Sequence, residues 1–198
     1  ITTSCRTNML EVGIAMLQGA RHEHIFSIKE AAKKLNINVN IRELRKSKDI
    51  HGIDALVLPG GESTAMKIAS KNENLLNSLW EVISNSNIPV LGTCAGAILL
   101  SQQGLISTPI VRNAFGRQKE SFQSKIRIDY PHEDDFPGVF IRAPRFLEGS
   151  KNPIAWFGEE VVGVLEGKKM ALTFHPELTN DYRFHEWLLN EATEFKSQ

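Results

Sequence analysis

Three short stretches of this chain hold side chains whose types and spacing could carry out covalent chemistry: PGGES at 59–63, GTCAG at 92–96 and FHPEL at 174–178. Gly92-Thr93-Cys94-Ala95-Gly96 is a G-x-C-x-G pattern, the thiol counterpart of the G-x-S-x-G nucleophile elbow, in which a sharp strand-to-helix turn pushes the nucleophile into the open. Glycines two residues to either side allow neighbouring backbone to come close. The following helix points its N-terminus at the sulfur, where it favours developing negative charge, and its Ala95 N–H is a candidate oxyanion donor. Taken alone, the pentapeptide is read as well by a small buried cysteine in a glycine-containing turn. A thiol nucleophile wants a base, and His175 ends a strand-like run with Glu177 two residues on. In an extended segment these two face the same side, so the carboxylate could orient the imidazole. An isolated H-x-E is usually a strand-end histidine beside a solvated glutamate. The elbow and the His–Glu pair together favour catalysis. Pro59-Gly60-Gly61-Glu62-Ser63 ends another buried strand; its glycines can present N–H groups to an oxyanion, and Ser63 can cap the next helix.

The remaining histidines read more plainly. His22 and His24 flank Glu23, where a metal site is the lesser reading. His51, His132 and His185 lie among polar neighbours and are expected at the surface, as is the acidic run Glu133-Asp134-Asp135. Trp80 and Trp187 fall on amphipathic helical spacing and are expected to pack.

The elements that must position these residues follow from the hydrophobic pattern. LEVGIAML (10–17), VNIRELR (39–45), DALVLPGG (54–61) and IPVLGT (88–93) read as strands, and IFSIKEAAKKLN, TAMKIAS, LLNSLWEVISN and AILLSQQ read as helices. Short apolar strands alternating with helices predict an α/β fold, a mostly parallel central sheet with helices on both faces. The second half adds strand-like SKIRID and GVFIRA. It then adds a β-hairpin region, VVGVLEG and KKMALTFHPE, turning at Glu166-Gly167, before a closing helix DYRFHEWLLNEATEF. Met9 opens the first strand pattern. Residues 1–8 are therefore read as an appended or disordered leader, and 9–198 as a single domain.

Composition narrows the class. The chain has 198 residues, enough for one sizeable core, and its 23 Lys+Arg balance 23 Asp+Glu, so nothing suggests nucleic acid or an anionic membrane as partner. Two cysteines without metal spacing form no disulfide framework and fit a reduced, cytoplasmic compartment. No apolar run approaches the roughly 20 residues of a membrane span. Neither a phosphate loop nor a dinucleotide fingerprint is present.

PGGES, GTCAG and FHPEL, in this order, resemble the class I glutamine amidotransferases, a Cys-His-Glu glutaminase family with a flavodoxin-like sheet. More narrowly the chain resembles the glutaminase subunits of pyridoxal 5′-phosphate synthase, through LQGARHEH (17–24), PGGEST (59–64), GTCAGAILL (92–100), RNAFGRQKESF (112–122), FIRAP (140–144) and FHPELT (174–179). The resemblance spans residues 10 to about 195. It implies that Cys94 attacks the side-chain amide of L-glutamine, with His175 and Glu177 completing a triad. It implies an oxyanion hole from the N–H groups of Gly61 and Ala95, and glutamine contacts from Gly61, Glu62, Ser63, Arg112, Ile141 and Arg142. An arginine fork suits the substrate's α-carboxylate. No metal or organic cofactor is implied. The implied partner is a synthase subunit of the PdxS type, a (β/α)₈ barrel, with twelve glutaminases around a core of twelve synthases. Two segments, QQGLISTPIV before Arg112 and KNPIAWFGEEVVG around Phe157, look shorter than in the family. A glutaminase serving another synthase, such as the imidazole glycerol phosphate type, a Cys-elbow peptidase of the same fold, and a non-catalytic interaction protein are the alternatives.

Overall fold

Runs of Val, Ile and Leu bounded by Gly, Pro and Asn make the strands of this chain, and apolar residues at three- and four-residue spacing make its helices. A computed structural model describes residues 8–17, 21–61, 73–112 and 121–198. Its first half runs β1 (Met9–Ala15), α1 (Arg21–Leu35), β2 (Asn38–Leu44), β3 (Ala55–Leu58), α2 (Glu73–Asn85), β4 (Val90–Thr93) and α3 (Ala95–Gln102). The second half holds β5 (Ile110–Val111), β6 (Ser121–Ile128), β7 (Asp134–Ile141), β8 (Arg145–Phe146), β9 (Pro153–Phe157), β10 (Glu160–Glu166), β11 (Lys169–Leu172) and α4 (Arg183–Ser197). The expected helix over TAMKIAS lies outside the described residues.

Nine strands form one sheet in the order β2-β1-β3-β4-β11-β10-β9-β6-β7, while β5 and β8 pair separately. The first five are parallel and the remaining pairings antiparallel. The hairpin expected in the second half therefore extends the parallel sheet. Its turn is Gly167-Lys168, because Glu166 pairs with Lys169, one residue later than the sequence suggests.

Alternation along the central strands sends residues to two cores. Val12, Ile14, Val57, Leu91 and Leu172 meet Ile28 and Ala31 of α1 and Phe184 and Leu188 of α4 on one face. Leu56, Leu58, Val90 and Ala171 meet Leu76 and Leu79 of α2 and Ala97 and Leu100 of α3 on the other. The mostly parallel sheet with helices on both faces is thus observed, and it explains why β3 and β4 are buried at every position. The parallel strands end along one edge, where open α/β sheets present their working loops. By the strand pairings, β7 also ends there.

Candidate active site

Cys94 is the first residue after β4, and its backbone is forced into φ 50° and ψ −109°, a region that non-glycine residues occupy only under constraint. Three contacts impose it. The Cys94 N–H donates to the Leu172 carbonyl of β11 at 2.8 Å, holding the turn against the neighbouring strand. A Cβ on Gly96 would meet the Leu58 carbonyl oxygen at 2.0 Å, so only glycine lets α3 leave so close to β3. A Cβ on Gly92 would meet the Gly96 backbone at 3.1 Å. The elbow is present as the spacing predicts, with the N-terminus of α3 beginning at Ala95.

His175 reaches the same place by a different route from the one expected. β11 stops at Leu172, and Pro176–Leu178 form a single 3₁₀ turn with His175 at its N-cap, φ −108°. His175 and Glu177 therefore meet across a tight turn rather than along an extended strand. Pro176, which lacks an N–H, suits the first position of that turn. The His175 N–H donates to the Val139 carbonyl at 2.8 Å, which ties this segment to β7. Beneath it Phe174 packs against Phe136, Phe140 and Phe184 with ring centroids 5.6–5.9 Å away.

The side chains converge. His175 Nδ1 lies 2.6 Å from Glu177 Oε1, and both residues are buried. Burial alone would push the His175 pKa down. Its interactions with Cys94 and then with Glu177 outweigh that and carry it up to about 10. Burial would raise Glu177, but His24, together with the bond from His175, holds it down to about 2. An imidazole joined to a thiol on one side and a carboxylate on the other can take a proton from sulfur and return it to a leaving group. Gly60 closes the floor, where an added Cβ would stand 2.7 Å from Cys94 Cβ and 3.0 Å from His175 Cε1.

The other site expectations divide. Cys94 Sγ approaches the Ile141 carbonyl at 3.8 Å, which brings the end of β7 to the elbow, and Arg142 follows at φ 43°. Ala95 begins α3, whose first N–H groups have no acceptor within the helix. Gly61 is half-buried beside Gly60. Arg112 follows β5, and its buried Nη2 has no hydrogen-bond partner among the described residues. Glu62 and Ser63 lie outside the described residues, as does most of the RNAFGRQ block.

The histidines correct the surface expectation. His185 is fully buried, as is His24, while His22, His51 and His132 are exposed. His24 Nδ1 lies 2.9 Å from His185 Nε2, and His24 Nε2 lies 3.6 Å from Glu177 Oε2 and 3.3 Å from Thr93 Oγ1. With His22 exposed and His24 buried, the two do not converge, and among the described residues no group of three or more His, Cys, Asp or Glu side chains is placed so that it could hold a metal ion. Helical spacing held the missed signal. His24 heads the stripe 24, 27, 28, 31 and 32 that buries one face of α1, and His185 falls within 184, 185, 188, 189 and 192 of α4.

Comparison with known proteins gives the chain a family. The SNO glutamine amidotransferase family matches residues 14–194. The chain is similar to pyridoxal 5'-phosphate synthase subunit PdxT of Thermococcus onnurineus (strain NA1), 40% identical over 198 residues covering 93% of this chain and 100% of the relative. The subunit of the same name from Ignicoccus hospitalis is 42% identical over 200 residues, covering 93% and 100%. A crystal structure of a glutamine amidotransferase matches with a TM-score of 0.77 at 38% identity, covering 91% of this chain and 98% of that one. The glutaminase domain of Trypanosoma brucei CTPS with bound acivicin shares the fold alone, at a TM-score of 0.66 and 13% identity, covering 93% and 94%. The chain belongs to the SNO glutamine amidotransferase family.

Proposed function

We propose that this chain hydrolyses L-glutamine to L-glutamate and ammonia and supplies the ammonia to a pyridoxal 5′-phosphate synthase subunit. The observation that carries the reading is the Cys94 elbow facing an imidazole whose other nitrogen is bonded to Glu177, within a chain of this family. His175 takes the Cys94 proton and the sulfur attacks the side-chain amide carbon. The tetrahedral oxyanion is held by the N–H groups of Ala95 and Gly61. The His175 imidazolium gives its proton to the leaving nitrogen, ammonia departs, and a γ-glutamyl thioester remains. Water, deprotonated by His175, attacks the thioester and releases glutamate and the Cys94 thiol. Glu177 keeps Nδ1 protonated and the ring in line.

Arg112, with a buried nitrogen lacking a partner among the described residues, suits the α-carboxylate of glutamine. Gly61, Glu62, Ser63, Ile141 and Arg142 complete the substrate contacts. The Gly60-Gly61 peptide is the gate: with one donor turned away, the loss would be on the order of 3–4 kcal/mol, and the chain would hold activity back until its partner docks. The partner is a (β/α)₈ barrel in an assembly of twelve and twelve, and residues 9–198 act as one glutaminase domain. The cytoplasm suits a free nucleophilic thiol, and no helix among the described residues is long and apolar enough to cross a membrane.

Ammonia release from L-glutamine, with and without a pyridoxal 5′-phosphate synthase subunit, tests the reading. Stimulation by the synthase, abolished in Cys94→Ala, is the expected result. Equal activity with and without the synthase would sink the gate but leave a glutaminase, and silence in both would overturn the function.

A further inference from the structure

Glu177 has two oxygens, and the reaction uses one. Oε1 bonds His175, whereas Oε2 is buried with no hydrogen-bond partner among the described residues. A buried carboxylate oxygen without a donor is costly. The ring that faces it is His24, whose Nε2 lies 3.6 Å away on a side chain with no exposure at all. That same nitrogen lies 3.3 Å from Thr93 Oγ1, the residue before the elbow cysteine.

The protons of this buried pair can be placed by elimination. One hydrogen lies between His24 Nδ1 and His185 Nε2, which are 2.9 Å apart. If His24 supplied it, the neutral His24 ring would turn a bare lone pair toward the Glu177 carboxylate. His185 would then carry its hydrogen on Nδ1, which is buried without a partner among the described residues. If His185 supplies it, the lone pair facing the carboxylate is gone and the unpaired donor becomes a less costly unpaired acceptor. His185 Nδ1 becomes an unused lone pair, and His24 Nε2 carries an N–H aimed between Glu177 Oε2 and Thr93 Oγ1. Two independent penalties thus choose the same tautomer.

We infer that His24, held in that tautomer by His185, is a positioning residue that fixes the Glu177 carboxylate behind His175 and so belongs to the working apparatus of the glutaminase site. The line runs Cys94, His175, Glu177, His24, His185, linking the elbow to α1 and α4. Both inner imidazoles are pushed down in pKa, chiefly by burial. What His24 offers is an N–H dipole rather than a charge. The charged and titratable groups facing it are Glu177 from the 3₁₀ turn, His185 from α4, His175 beyond the carboxylate and Glu23 on its own helix. The inference rests on the glutaminase reading.

Two amide variants separate the roles of the two ring nitrogens. The His24→Asn amide ends near the place of Nδ1, meeting His185 but stopping short of Glu177. His24→Gln puts an N–H near the place of Nε2. With the synthase present, His24→Asn should lose roughly ten- to a hundredfold in kcat for glutamine, with KM within about twofold, and His24→Gln should recover to within about threefold of wild type. A second reading needs no glutamine. Alkylation of Cys94 by iodoacetamide, followed by peptide mass, should in His24→Asn slow between pH 9 and pH 6 roughly tenfold more than in wild type, because a carboxylate no longer held in place supports the His175 imidazolium less. Thermal melting confirms that each variant is folded. A folded His24→Asn with wild-type kcat and alkylation profile would overturn the inference, as would a folded His24→Gln that falls as far as Asn. Wild type that releases no ammonia would instead sink the glutaminase reading, and the alkylation profile would still decide the role of His24.

Discussion

His175 and His185 are both buried and stand on opposite sides of the same carboxylate, yet they are displaced in opposite directions. His175 is carried up to about 10 and His185 is pushed down to about 3. Burial disfavours the charged ring in both. His175 has Cys94 on one side and bonds Glu177 directly at 2.6 Å, and these favour its imidazolium. His185 hydrogen-bonds the His24 ring, which lowers it further, and Glu177, one residue further away, raises it by less. A charge inside this fold is set by what the ring touches, and the same glutamate stands between a charged ring, proposed to do the chemistry, and a neutral pair, proposed to hold it in position.

Removing the sulfur breaks the comparison most severely. Cys94→Ala should lower glutamine hydrolysis by a factor of order 10⁶ while leaving thermal stability intact. His175 loses one of its two raising partners there, so its NMR titration should move down from about 10. Glu177→Gln comes next, with a loss in kcat of order 10⁴, since a neutral amide can hold the imidazole in the wrong tautomer and no longer supports its charge. Gly60→Ala should cost about 10² in kcat, because its Cβ would stand 2.7 Å from Cys94 Cβ and shift the sulfur or the ring.

The smallest expected effect lies on the neutral side and concerns stability. An unfolded histidine takes up its proton near pH 6.5, whereas folded His185 resists until about 3. As pH falls through that window the unfolded chain binds the extra proton, so His185 costs the fold up to about 1.4 kcal/mol per pH unit. Chemical denaturation at pH 7 and pH 4.5 should show a smaller loss for His185→Gln than for wild type. An equal loss in the two would place the acid sensitivity elsewhere.

The charged side was far more legible in the sequence than the neutral one. An elbow writes itself locally, because Gly92 and Gly96 are required by close approach of backbone within a few residues of Cys94. The apolar strands and the parallel layering were legible for the same reason, since each burial stripe is a local pattern. The His175–Glu177 pair was found through a mistaken geometry. β11 ends at Leu172 because the chain turns to hydrogen-bond Val139 of β7, a partner far away in sequence. His185 is read by its polar neighbours along the chain and His24 by its place beside Glu23, whereas helical spacing puts them on the buried faces of α4 and α1. Their contact joins residues 161 apart, which no local window contains.

The central claim is that Cys94 is the nucleophile of a glutamine site. Acivicin, a glutamine-like electrophile, tests it directly when incubated with the chain and its synthase partner and followed by intact and peptide mass. The account predicts one adduct, mapped to Cys94, slowed by excess L-glutamine and absent from Cys94→Ala. An unmodified Cys94, or an adduct elsewhere that glutamine does not slow, would contradict it.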